Sequence, residues 1–138
     1  MVDINKVALQ LVDIGNDAAR GFPFEVQPIP GEQEVLQIII EDREELPIFI
    51  SATEEQILCI AYLFKEDEIE DGMLAEVNNS MLLSNISMPL SSFAKLDSQY
   101  VIYGALSVNS SLEDIVHEIE VLSGNTTEAI EAISEFLN

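Results

Sequence analysis

A chain of 138 residues, 48% of them hydrophobic, carries enough apolar surface for one core and leaves little room for two domains. Its 26 acidic residues against 5 basic ones give a formal net charge of −21. Such a surface repels phosphate backbones and anionic headgroups. That excludes direct nucleic-acid binding and electrostatic docking on a bare membrane, and favours fast encounter with a basic protein. The alternative is that the charge serves solubility alone.

The first helix shows in Ile4, Val7, Ala8, Leu11, Ile14 and Ala18, which recur at helical spacing behind Asp3, a suitable N-cap. Arg20-Gly21 is the expected stop, because glycine tolerates a left-handed C-terminus. A short strand is expected over 22–26, placed at a sheet edge by Pro23, followed by a turn at Pro28-Ile29-Pro30-Gly31. Residues 35–41 read as an isoleucine-rich strand. A charged turn at 41–45 leads to two more strands, 46–52 and 57–64, around Thr53-Glu54-Glu55. These runs are apolar on both faces, so helices or a partner must cover the second face.

Residues 65–71 are expected to open a second helix, with Ile69, Met73, Val77 and Met81 on one side and its acidic start at the positive end of the dipole. That helix is expected to stop near Ser84-Asn85. Two strands follow Pro89, at 90–94 and 99–108, with Asp97-Ser98 as their turn. A last helix begins at Ser111, where Ser111 and Asp114 resemble a capping box. Leu112, Ile115, Val116, Ile119 and Leu122, then Ala129, Ile130, Ile133 and Leu137, form its apolar stripe, with a kink or break expected at Gly124-Asn125. The order α-β-β-β(-β)-α-β-β-α over residues 1–138 predicts a single α+β domain, its sheet largely antiparallel because short turns cannot make parallel crossovers.

A search for chemistry yields little. The lone His117 lies mid-helix among acidic neighbours and reads as solvated. Cys59 has no disulfide partner and no cation adjacent in sequence, so it reads as a small buried hydrophobe. There is no glycine-rich phosphate cradle. Asp67, Asp71 and Gly72 fall at three positions of a calcium loop, but Ile69 and Asn78 occupy the third and twelfth, so the pattern fails. A weak, nonspecific divalent-cation effect on stability is still expected from the charge alone. No catalytic, metal or cofactor residue is assigned, and no cofactor is expected. Methionines Met73, Met81 and Met88 read as core, with an adaptable contact surface as the alternative. Met1-Val2-Asp3-Ile4-Asn5-Lys6 lacks a basic n-region and no run is long enough to span a bilayer, so a cytoplasmic protein without membrane insertion is expected.

The paired strands around Leu46-Pro47-Ile48-Phe49-Ile50-Ser51 and 56–64, the acidic segment after them, Met88-Pro89-Leu90-Ser91-Ser92-Phe93 and Tyr100-Val101-Ile102-Tyr103-Gly104-Ala105-Leu106 together resemble the YjfI-like family of small bacterial proteins. The element order is similar to class I type III secretion chaperones and YbjN-like proteins. That resemblance implies a small acidic binding protein, monomer or homodimer, without enzymatic activity. The YjfI-like resemblance further implies a link to a phage-shock-protein-A-like envelope stress system.

The sequence is therefore read as a non-catalytic protein-binding module, a chaperone or adaptor, for a basic or phage-shock-protein-A-like partner. Its candidate interaction residues are Phe22 and Phe24 on the edge strand and Glu66, Asp67, Glu68, Glu70 and Asp71 in the acidic segment. Two other readings stand beside it. One is a carboxylate-based enzyme or small-ligand binder using Glu54, Glu55 or Asp67. The other is a self-associating structural subunit.

Overall fold

The structure is a computed structural model and describes residues 3–15 and 23–138. Helix α1 (Ile4–Gly15) begins where expected. The Asp3 carboxylate accepts the Asn5 backbone N–H at 3.0 Å, which caps the first turn. The expected stop at Arg20-Gly21, with Ala18 and Phe22, lies outside the described residues. Strands β1 (Phe24–Ile29), β2 (Val35–Ile40), β3 (Ile48–Ala52) and β4 (Gln56–Lys65) follow as an antiparallel meander. Helix α2 (Leu74–Asn85), strands β5 (Ser92–Leu96) and β6 (Gln99–Ser107), and helix α3 (Leu112–Ile133) complete the order. The six strands form one antiparallel sheet ordered β1-β2-β3-β4-β6-β5.

Strand β1 is an edge, as the prolines require, but it runs through Pro28 where a turn was expected. An edge strand tolerates that residue because one side of its backbone has no ladder to complete. Alternation then sorts the sheet. Ile38, Ile48, Ala61 and Ile102 lie in register and are all buried, as are Ile50 and Cys59 beside Gly104. Against this face α1 supplies Ile4, Ala8 and Leu11, and α3 supplies Ile115, Val116, Ile119 and Leu122. Each such side chain removed from water stabilises the fold by roughly 1.5–3 kcal/mol before entropy is counted. Gly15 lets α1 close on β1, because a Cβ there would sit 2.3 Å from the Phe24 backbone oxygen.

Two helical expectations are corrected. Residues 65–71 do not open a helix. Strand β4 continues to Lys65, a single 3-10 turn covers Glu66–Glu68, Ile69 bridges Leu137, and Gly72 takes a left-handed φ of 85° before α2 begins at Leu74. Ile69, Met73, Val77 and Met81 do meet in one cluster, with Phe64, Tyr100 and Ile133, but they reach it from a strand-like segment, a turn and a helix rather than from one helical face. The second correction concerns α3, which passes through Gly124 unbroken for 22 residues. It ends at Ile133, and Leu137 belongs to the bridge beyond it. The Ser111 cap stands, with its hydroxyl accepting the Asp114 N–H at 3.1 Å.

Candidate interaction surfaces

Phe24 is 3% exposed and packs beneath α1, so its ring belongs to the core and not to a contact surface. Phe22 lies outside the described residues. The acidic residues Glu66, Asp67, Glu68, Glu70 and Asp71 are drawn into local structure instead of a helix start. Glu68 accepts the Lys65 backbone N–H, Glu66 pairs with Lys95, and Glu70 donates its N–H to the Phe136 carbonyl at 2.7 Å. Asn138 donates its backbone N–H to the Glu68 carbonyl at 2.9 Å. The segment is thus tied to the chain's C-terminal residues, an arrangement invisible from local sequence.

The carboxylates of the enzymatic alternative do not converge. Glu54 and Glu55 sit in the exposed β3–β4 turn, while Asp67 follows the far end of the ten-residue β4, about 30 Å away along the strand. Among the described residues no group of three His, Cys, Asp or Glu side chains could hold a metal ion. His117 is exposed and Cys59 is fully buried. Burial, with the nearby Glu118 carboxyl as a second cause, pushes the Cys59 thiol up to about 12. A thiol so placed stays protonated and inert.

Two apolar surfaces remain uncovered. The described helices α1, α2 and α3 pack on one face of the sheet. The opposite face presents Ile39, Phe49, Leu58, Ile60, Tyr62 and Tyr103, partly exposed, with Tyr62 edge-on to Phe49. The expected cover over this second face is not supplied by any described element of the chain.

The second surface is α2. This helix buries only Val77 and Met81. Leu82 is 72% exposed, Leu83 68% and Ile86 96%, and Leu90 beyond the helix is 57% exposed. An exposed helix normally carries a polar outer face, but α2 turns Leu82 and Leu83 outward while Val77 and Met81 face the core. No charged side chain occurs from 77 to 94, between Glu76 and Lys95, in a chain of net charge −21. Between α2 and α3 runs a groove of about 490 Å³, with Met81, Met88, Phe93 and Ile133 among its apolar lining.

Beside this groove the chain makes a strained turn. Ser91 donates its N–H to the Pro89 carbonyl at 2.8 Å, closing a three-residue turn, and Leu90 at its centre has φ 63°. A γ-turn of this hand is rare and unfavourable for a residue with a Cβ. Asn125 of α3 clamps it, donating to the Pro89 carbonyl at 2.9 Å and to the Ser91 hydroxyl at 3.0 Å. Two helical turns earlier on α3 lies Glu118, 2% exposed, with its Oε1 unpartnered. Burial raises its carboxyl above the ordinary range, which the neighbouring His117 partly offsets. The charge-free stretch and Glu118 escaped the sequence reading, yet both left a signal. Position 118 falls three residues after Ile115 and four before Leu122, on the apolar stripe of α3.

The described residues form an antiparallel six-stranded sheet with its helices on one face, an α+β architecture. Similar folds occur in a chaperone–effector complex and in YbjN. A chain of the HopA1–SchA chaperone–effector complex superposes with a TM-score of 0.60, at 14% identity, covering 95% of this chain and 99% of that one. YbjN from E. coli superposes with a TM-score of 0.62, at 15% identity over 94% and 93% of the two chains. The chain itself belongs to the family DUF2170, described as an uncharacterized protein conserved in bacteria, which it matches over residues 2–137. It is 30% identical to YjfI of Escherichia coli strain K12 over 112 residues, 78% of this chain and 83% of that protein.

Proposed function

We propose that this protein is a non-catalytic, cytoplasmic protein-binding module of the chaperone or adaptor kind, and that α2 with the following 86–90 segment is its principal contact surface. The observation that carries the reading is an apolar helix end left exposed, Leu82 by 72% and Leu83 by 68%, with Ile86 just beyond it 96% exposed. Large exposed apolar patches on soluble domains mark contact sites. The chaperone–effector complex with the same fold supports a protein as the ligand. Within that class the family resemblance favours a phage-shock-protein-A-like partner, whose copurification on co-expression is the direct check.

A second reading, self-association, is favoured by the charge pattern. A basic partner is drawn to acidic surface, which covers most of this molecule. A second copy, itself at −21, can approach closely only where charge is absent, and the α2 segment supplies that place. Salt separates the two. Binding of a basic partner weakens as salt rises, whereas self-association through a neutral apolar patch strengthens. Sedimentation of the wild type and of Leu83→Asp/Ile86→Asp, at low and high salt, with and without the co-expressed partner, tests both. A wild-type protein that stays monomeric at every salt and retains no partner overturns the proposal.

A further inference from the structure

The buried carboxyl of Glu118 has no role in an apolar core. Its surroundings show what it does. Gly104, at the centre of β6, faces it, and a Cβ on Gly104 would fall 1.6 Å from Glu118 Oε1. The same point lies 3.0 Å from the backbone carbonyl oxygen of Leu90. The notch left by glycine therefore admits both the carboxyl oxygen and the carbonyl of the strained turn. Glu118 Oε1, shut away from water, is repelled by a neighbouring acceptor unless one of the two carries a proton. Cys59 on β4 and His117 on its own helix are the titratable groups that bear on Glu118, and β6 contributes only Gly104 at this point.

We infer that Glu118 is a positioning residue: held as the neutral acid, it donates its O–H to the Leu90 carbonyl and, together with Asn125, locks the strained turn that holds Leu90 outward beside α2. The proton bridges Oε1 and the carbonyl oxygen. Its loss leaves a carboxylate against a carbonyl dipole and removes one of the two ties that α3 makes to the turn. The left-handed φ of Leu90 then has less to oppose relaxation, because strained conformations persist only where their surroundings over-determine them. The link from this lock to binding rests on the proposed role of α2; the hydrogen bond itself does not.

The test follows carbon-13 signals of the Glu118 carboxyl and the Leu90 carbonyl by NMR from pH 4 to pH 9, alongside sedimentation of the same samples. The expected result is one shared midpoint above the ordinary carboxyl value of 4.5 for both carbons. Glu118→Gln, whose amide keeps a donor without titrating, should leave the Leu90 carbonyl unmoved across the range. Glu118→Leu should place that carbonyl at its high-pH wild-type position at every pH. A Leu90 carbonyl that ignores the Glu118 titration, or one that still titrates in Glu118→Gln, overturns the lock. If the two carbons titrate together while the protein never associates and retains no partner, the lock stands and the docking reading falls. If association weakens over the same pH range in the wild type but not in Glu118→Gln, the lock is shown to act on binding.

Discussion

At single residues the molecule stores its unusual chemistry where α3 meets the 89–91 turn. An acid whose folded-state value is raised holds its proton more tightly folded than unfolded. Glu118 therefore stabilises most at low pH, and stability declines as pH rises from 4.5 until the folded-state value is passed, then levels off. Urea unfolding of the wild type should show that decline beyond any shared by Glu118→Gln, which subtracts the contribution of overall charge repulsion. Leu90→Gly removes the Cβ penalty at φ 63° and should raise stability by about 1 kcal/mol, while deleting an exposed apolar contact and so weakening association. Gly104→Ala places a methyl group in the notch that holds the Glu118 carboxyl and should cost about 1–3 kcal/mol by urea unfolding.

Among the elements, α2 and α3 behave oppositely to what local composition suggests. Helix α3 carries Gly124 in its interior with open space where a Cβ would go, so Gly124→Ala should stabilise by about 1 kcal/mol in the same unfolding assay. The expected break at that glycine does not occur because Leu122, Ser123 and Thr126 on either side are buried, and that packing outweighs a propensity of this size. Leu83→Asp in α2 and Ile86→Asp just after it should change stability within about 0.5 kcal/mol, because neither side chain is buried, and yet lose self-association or partner binding. Equal losses of stability and binding would show instead that α2 is an ordinary structural helix. The acidic 66–71 segment failed to be helical for a tertiary reason. Its backbone is claimed by Phe136 and Asn138 from the far end of the chain, and no local propensity announces such partners.

At the scale of the whole molecule, a net charge of −21 works against compactness, and screening should raise the melting temperature as salt increases from low values. The six-stranded sheet with helices on one face leaves an apolar back face that no described element of the chain covers. The apolar strand runs at 35–41, 46–52 and 57–64, the two-residue turn at Asp97-Ser98, the caps at Asp3 and Ser111 and the burial of Cys59 were all legible in sequence. Each depends on neighbours within a few residues or on hydrophobicity alone. By itself, then, the sequence determined the α+β class, the antiparallel pairing of adjacent strands and the absence of any familiar catalytic motif. Tertiary structure alone decided that Phe24 turns inward, that β6 inserts between β4 and β5, that α2 lies exposed, and that Glu118, Gly104 and the Leu90 carbonyl meet. The reason is distance along the chain: these contacts join residues far apart in sequence, and their energies exist only once the sheet has brought those residues together.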